Sequence, residues 1–194
     1  MNEKHCWYDL DIDVKNCFKP EFKFPTPKGR YGIWDKLAWD VFNMDWLKYV
    51  SAKGLPVYSV IIFYRGPYAS TLGAHVDIST VEPFLLTNFA INWVYGGRDS
   101  TMSWYDTPLT EKKIEYTPAG TAYKVWNKRE LNKIESDVIG ESVKLVRTGI
   151  PHSIEMGSDP RWCISARTSI HHDYEWDRVV GMMRTQKLLV ERDV

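Results

Sequence analysis

Two histidines, one aspartate and one arginine are the residues of this chain whose types and spacing could do chemistry. His75 and Asp77 are separated by one residue, His152 lies far along the chain, and Arg161 follows it nine residues later. Two imidazoles and one carboxylate are the ligand set of a facial-triad iron site, which leaves coordination positions open for other ligands. The sequence therefore predicts an iron-dependent oxidative enzyme in which Arg161 is a fixed cation for an acidic co-substrate.

Strand periodicity explains how these ligands could meet. Side chains at positions i and i+2 of a strand point to the same face, so His75 and Asp77 can chelate one ion. His152 is the candidate third ligand, because it opens a strand directly after Pro151, where a turn can fix its direction. Imidazole and carboxylate suit Fe(II), and no cysteine lies near the motif to indicate structural zinc.

The same periodicity applies to the segment RWCISAR, from position 161 to position 167. Positions 161, 163, 165 and 167 share one face, and the residues between them are apolar. We therefore expect Arg161 and Arg167 to line one cavity. A buried guanidinium needs an anionic partner, which a bound dicarboxylate would supply through a bidentate contact. The alternative for Arg161 and for Arg167 is a structural salt bridge, to Glu155 or Asp159.

Asparagine side chains are further candidates for the cavity. Asn88 and Asn92 alternate with large apolar residues, so both are expected to face the interior. A buried amide needs hydrogen-bond partners, and for Asn88 and Asn92 these would be the co-substrate, an iron-bound water or a core polar group. Tyr64 and Arg65 precede the HxD motif by one hairpin and are also candidate co-substrate contacts.

The elements that must position these residues are predicted to be mainly strands. Many short β-rich segments separated by Gly/Pro turns are typical of a jelly roll. Helical spacing of apolar residues predicts one helix over 34–52 and another after residue 171. We expect a single domain with an N-terminal arm and helix (1–55), a jelly-roll core (56–170) and a C-terminal helix (171–194). Residues 107–142 could form a lid or an ordinary connection. The predicted strands span residues 57–65, 72–78, 86–95, 101–106, 122–127, 143–147, 152–156 and 161–170.

Composition narrows the class of protein. The 194 residues suffice for one domain, and Lys plus Arg equals Asp plus Glu at 25 each. This balance gives no electrostatic footprint for nucleic acid or an anionic membrane. Three cysteines without close spacing favour reduced thiols, and no signal peptide or membrane span is visible. We therefore expect a cytoplasmic protein with a small-molecule or peptide substrate. The N-terminal arm and the two helices could mediate dimerisation.

The order of an HxD motif, a distal histidine and an arginine on the next strand resembles the Fe(II)/2-oxoglutarate-dependent oxygenases. The segments GAHVD (73–77) and PHSI (151–154) with Arg161 carry this resemblance, which covers about residues 56–170. It implies a double-stranded β-helix, Fe(II) on His75, Asp77 and His152, and the far carboxylate of 2-oxoglutarate on Arg161.

The resemblance also has finer features. The spacing from His152 to Arg161 looks like that of prolyl and aspartyl/asparaginyl hydroxylases. The paired arginines look like the RxNxTxR pattern of alkylation-repair demethylases, with Cys163 at the Asn position, which would place Arg167 at the co-substrate too. Because Asp77 fills the position that halogenating members leave open, the resemblance implies hydroxylation, or demethylation through a hydroxylated intermediate. Either reaction would use O2 and release succinate and CO2.

Two other functions stay open at this point. A cupin-type metalloenzyme would use the same metal ligands without 2-oxoglutarate. A non-enzymatic β-barrel binding module would keep the histidines for structural reasons alone. The substrate class is open as well, since a peptidyl or free amino acid and a small metabolite all fit the sequence.

Overall fold

The computed structural model describes residues 3–69, 73–78, 85–106, 113–116 and 121–191. Strands dominate, and they form two antiparallel sheets of seven and six strands. The mainly β class predicted from the sequence is therefore confirmed. Within the described ranges, no helix combines the length and the apolar character needed to cross a membrane. The strands are, in chain order, β1 (Trp7–Leu10), β2 (Tyr31–Leu37), β3 (Val57–Arg65), β4 (Ala74–Asp77), β5 (Phe89–Gly96), β6 (Thr101–Tyr105), β7 (Ile114–Tyr116), β8 (Ala122–Trp126), β9 (Lys133–Asp137), β10 (Val143–Arg147), β11 (His152–Glu155), β12 (Arg161–Thr168) and β13 (Leu189–Val190).

The two sheets combine strands from distant parts of the chain. The first sheet has the order β13-β1-β10-β5-β12-β3-β2, and the second has the order β7-β8-β4-β11-β6-β9. In the second sheet, β4 and β11 are neighbours, which brings the HxD motif beside the distal histidine. In the first sheet, β12 lies between β5 and β3. Strand order thus places the predicted metal ligands on one sheet and the predicted arginines on the other.

Apolar residues of β12 pack away from the second sheet. Ile164 and Ala166 belong to the larger core cluster, together with side chains of the helices α2 (Met44–Ala52) and α3 (Trp176–Thr185). Cys163, on the opposite face of β12, packs with Trp104 of the second sheet. The alternation expected for the segment 161–167 is therefore present, because the helices bury its apolar face.

The helix predicted over 34–52 is wrong in its first part. Tyr31–Leu37 is a strand paired with β3, followed by the short helix α1 (Ala38–Val41), and α2 begins at Met44 after its N-cap Asn43. The apolar positions fit a helical period, but Trp34 lies opposite Ile62 and stacks against Trp162, with ring centroids 5.8 Å apart. Cross-strand packing therefore outweighs the local helical pattern.

The terminal segments are more strand-like than the sequence indicated. The helix expected after residue 171 is limited to Trp176–Thr185, and β13 follows it and pairs with β1.

The segment 107–142 contains β7, β8 and β9, which belong to the second sheet. Its described part is thus a structural part of that sheet. Positions 107–112 and 117–120 of the predicted lid or connection lie outside the described residues.

Candidate metal centre

The three predicted metal ligands converge. One ligand atom from each of His75, Asp77 and His152 lies within 4.8 Å of the others. His75 and Asp77 share a face of β4, and His152 on β11 is the direct cross-strand partner of His75. The two imidazole rings have centroids 4.5 Å apart. Period-two alternation on β4 and the pairing of β4 with β11 therefore create a three-ligand cluster.

Backbone carbonyls orient both imidazole rings. Nδ1 of His75 lies 3.4 Å from the carbonyl oxygen of Gly73, and Nδ1 of His152 lies 3.0 Å from that of Ile150. A ring that donates its Nδ1–H to a carbonyl keeps an unprotonated Nε2, and this is how metal-binding histidines are commonly held. Each Nε2 faces Oδ1 of Asp77, at 3.9 Å from His75 and 4.0 Å from His152.

Burial keeps both imidazoles neutral. Desolvation, with the neighbouring His152 as the next cause, lowers the pKa of His75 to about 3. Desolvation also lowers the pKa of His152. A metal ion binds only the deprotonated ring nitrogen, so protons scarcely compete with a metal for these rings at neutral pH. The two histidine rings can therefore bind a cation at neutral pH without first losing a proton.

Arg167 holds the third ligand. Its Nη2 donates to Oδ2 of Asp77 at 2.7 Å, and both side chains are largely buried. Burial alone would raise the pKa of Asp77, but the guanidinium of Arg167 and the two histidines lower it to about 2. Asp77 is therefore an anion whose Oδ1 is turned toward the histidines.

Arg167 lines a neighbouring cavity with Asp77 and His171, whereas Arg161 lines the cavity beside the triad. The expectation that both arginines line one cavity is therefore wrong, because Asp77 holds the guanidinium of Arg167. The co-substrate contact predicted for Arg167 stays a prediction.

A cavity of about 400 Å³ lies beside the triad. Polar groups of β5 and β12 line one part of its wall: Asn92, Arg161, Cys163 and Ser165. Side chains of the neighbouring strands line much of the rest, including Phe63, Tyr64, Met102, Tyr123 and Ile154. The cavity therefore combines the three candidate metal ligands, a cation and an apolar wall.

Arg161 has no acidic partner in the described part of the chain. It is 3% exposed, and no carboxylate oxygen in those ranges lies within 4.0 Å of its guanidinium. Glu155, considered above as a salt-bridge partner, pairs with Lys128 at 3.2 Å. Asp159 accepts a hydrogen bond from the backbone N–H of Arg98. A buried guanidinium beside an open cavity is a ready site for an anion.

Arg65 is a second cation of this cavity. From the sequence, Arg65 is only one of two candidate co-substrate contacts, one hairpin before the HxD motif. It is the direct cross-strand partner of Arg161 and also lines the cavity. Burial and the nearby Arg161 lower the pKa of Arg65 to about 10. The signal that could have found it is its position at the end of β3 on the same face as the arginine of β12, but that required the strand register.

The two asparagines behave differently. Asn92 lines the cavity, is buried, and its Oδ1 has no hydrogen-bond partner among the described residues. Asn88 instead donates from Nδ2 to the carbonyl oxygen of His172 at 3.2 Å, away from the cavity. Only Asn92 is therefore placed where a hydrogen-bond donor in the cavity could satisfy its Oδ1.

Comparison with known proteins gives little. No protein-family model matches the chain, and neither does any curated protein. Among solved structures, the chain is similar to the X-ray structure of E. coli ycfD, with a TM-score of 0.33 and 11% sequence identity. The match covers 70% of this chain and 33% of that chain, so the present chain spans about a third of that protein.

Proposed function

We propose that the chain is an Fe(II)- and 2-oxoglutarate-dependent dioxygenase that hydroxylates its substrate and releases succinate and CO2. One observation carries this proposal. Two neutral imidazoles and one carboxylate open onto a cavity that also contains Arg161, a buried guanidinium without an acidic partner in the described ranges. Metal ligands alone would fit many enzymes, but the added cation fits an acidic co-substrate bound beside the metal.

The strand order supports a double-stranded β-helix, the jelly-roll fold of the proposed family. From β3 to β6 the chain alternates between the two sheets, and it alternates again from β9 to β12. This alternation rolls the two sheets around a shared interior, as a jelly roll requires. The metal ligands on β4 and β11 then face the arginines of β12 and β3 across that interior.

The donor set suits Fe(II). Imidazole nitrogen and carboxylate oxygen in a two-to-one ratio, with no thiolate, match a non-haem ferrous site with open positions. The chain's own residues fix the donors: carbonyls hold the histidine rings, and Arg167 occupies Oδ2 of Asp77. Only Oδ1 is left for the metal, so the carboxylate would bind through one oxygen and keep the other positions free.

When bound, Fe(II) and 2-oxoglutarate supply the reduction of dioxygen, coupled to decarboxylation of 2-oxoglutarate to succinate. Arg161 would form the bidentate pair with the far carboxylate of 2-oxoglutarate, which would hold that molecule in one orientation. The amide Nδ2 of Asn92 could donate to the same ligand. The apolar wall beside the triad, including Phe63 and Ile154, would limit the access of bulk water to the reacting atoms once both ligands are bound.

Anaerobic titration separates this function from its alternatives. Fe(II) is added to the metal-free protein, followed by 2-oxoglutarate, and the visible spectrum is recorded. The proposal predicts a weak metal-to-ligand charge-transfer band that needs both additions and is absent from Asp77→Ala. A cupin-type enzyme that does not use 2-oxoglutarate predicts metal binding without that band. A binding module with structural histidines predicts neither, and either result contradicts the proposal.

A further inference from the structure

The cavity extends beyond Arg161 onto the strands β3 and β2. Its floor is formed by parallel rows of side chains that cross β12, β3 and β2. The first row contains Arg161, Arg65 and Tyr31, and the next row contains Cys163, Phe63 and Ile33. All six residues line the cavity.

These rows define two lanes that run in the strand direction. The polar lane lies on β12 and β5 and contains Arg161, Ser165 and Asn92. The apolar lane lies on β3 and β2 and contains Phe63 and Ile33, and Arg65 lies at its end. Direct cross-strand neighbours are about 5 Å apart, so the two lanes can hold two molecules side by side.

The lanes differ in their access to solvent. Arg161 is 3% exposed, Arg65 beside it is half-buried, and Tyr31 at the edge of the sheet is 49% exposed. Strand β2 is the last strand on this side of the described sheet. The polar lane is therefore the more enclosed one, and the apolar lane is open to solvent at strand β2.

Arg65 has no carboxylate within ion-pair distance in the described part of the chain. It faces Arg161 directly across the β3–β12 pair, so each guanidinium raises the electrostatic free energy of the other. One dicarboxylate in the polar lane neutralises Arg161 through its far carboxylate. Arg65 then remains as a partly desolvated cation that a second anion would stabilise.

We propose that Arg65 binds an anionic group of the organic substrate, whose apolar body lies over Phe63 and Ile33 and reaches the metal triad. The substrate is thus an amphiphilic acid, with a carboxylate or phosphate at one end and the oxidised carbon at the other. This inference rests on the proposed function, because it assigns the polar lane to 2-oxoglutarate. The competing role for Arg65 is to share the far carboxylate of 2-oxoglutarate with Arg161.

Calorimetry with matched pairs of probes tests the inference. The full chain is loaded with redox-inert Mn(II) and saturating 2-oxoglutarate, so that Arg161 and the metal are already engaged. Hexanoate, 3-phenylpropanoate and hexyl phosphate are then titrated against hexanamide, 3-phenylpropanamide and hexanol. Comparison of the two carboxylates with the phosphate distinguishes the two kinds of anionic group. We expect the acids to bind at least about tenfold more tightly than their neutral partners.

Variants locate the preference. Arg65→Gln should abolish the preference for acids and weaken 2-oxoglutarate binding far less than Arg161→Gln does, and Arg65→Lys should retain part of the preference. Arg129→Gln, which removes an exposed cation far along the chain from the two lanes, is the matched control and should behave as the wild type. Thermal melting of each variant checks that it is folded.

Each remaining outcome overturns a stated part. Equal affinities for acids and neutral partners, or a preference that survives in Arg65→Gln, contradict the substrate-anion site. Weakened 2-oxoglutarate binding in Arg65→Gln, as strong as that in Arg161→Gln, makes Arg65 a co-substrate residue instead. Before the probes are added, 2-oxoglutarate is itself titrated into the Mn(II)-loaded protein. If the wild type does not bind it, the proposed function fails and this inference fails with it.

Discussion

Arg161 and Arg167 lie on the same face of one strand, and both are almost completely buried, with 3% and 5% of their surface exposed. Their partners differ. Arg167 donates to Asp77 at 2.7 Å, whereas Arg161 has no carboxylate within ion-pair distance among the residues described. The protein thus neutralises one buried guanidinium with its own chain and leaves the other facing a cavity. Because an uncompensated buried charge is costly, the second guanidinium indicates a ligand.

The two ends of β12 therefore have different roles in the proposed reaction. At the Arg167 end, the ion pair orients a metal ligand and would be present with or without a ligand. At the Arg161 end, Arg65 lies directly opposite and adds a second positive charge. Substitutions that remove one partner at a time can show whether this difference is real.

The largest effect is expected from Asp77→Ala. It removes a proposed metal ligand and leaves the guanidinium of Arg167 buried without its anion, so the free energy of unfolding of the metal-free protein should fall by about 3–5 kcal/mol. Urea unfolding measures that loss, and Fe(II) titration measures the loss of metal binding. The matched control is His152→Ala, which should also abolish metal binding but destabilise the protein less. Equal destabilisation by the two variants would show that the Arg167 ion pair has no special weight.

Arg161→Gln should have the next largest effect, on co-substrate binding alone. We expect Fe(II) affinity to be retained and 2-oxoglutarate affinity to fall by about 2–5 kcal/mol, because one partner of a buried charge pair is lost. The metal-free variant should be at least as stable as the wild type, since Arg161 has no acidic partner to lose within the described ranges and its uncompensated buried charge is removed. If calorimetry shows that the affinity for 2-oxoglutarate is unchanged, the proposed difference in role between Arg161 and Arg167 is wrong.

Arg167→Gln should act on the metal instead. With Oδ2 of Asp77 no longer held at 2.7 Å, the carboxylate can turn, and Fe(II) affinity should fall about 10–100-fold, as for other residues that orient metal ligands. Competition with a chelator measures this change. A variant that binds Fe(II) normally but loses 2-oxoglutarate directly would instead support the co-substrate role first predicted for Arg167.

The smallest effect is a pH dependence of stability at the Arg167 end. His171, 2% exposed, stacks on Tyr58 in the neighbouring cavity, and burial lowers its pKa to about 4. Because this value lies below that of the unfolded chain, about 6.5, its contribution is fully present above pH 6.5 and is lost as pH falls toward 4. His75, with a pKa of about 3, acts in the same direction. Urea unfolding of the metal-free protein should show this slope, and His171→Gln should reduce it, whereas an unchanged slope would contradict the assigned burial effect.

Periodicity within one strand was sufficient to predict parts of the site. His75 and Asp77 share a face because they are two residues apart, and Arg161, Cys163 and Ser165 line one cavity for the same reason. The fold class followed from the many β-rich segments, and the predicted bounds of β3 and β10 are those observed.

Contacts between strands could not be read in this way. The ion pair of Arg167 with Asp77 joins residues 90 positions apart on different sheets, so it depends on how the sheets face each other. Arg65 gains its importance only from its register opposite Arg161. The helix predicted through Trp34 failed for a related reason, since that partly buried side chain packs on neighbouring strands and not on a helical face.

The measurement that tests the central claim most directly is the fate of labelled dioxygen. The Fe(II)-loaded protein is incubated with 2-oxoglutarate under ¹⁸O₂, and succinate is analysed by mass spectrometry, with Arg161→Gln and Asp77→Ala as controls. A dioxygenase of the proposed kind should form succinate that carries one labelled oxygen atom, slowly even without substrate, and both variants should form far less. Iron-loaded wild-type protein that forms no labelled succinate, or no more than the two variants form, would contradict the proposed function.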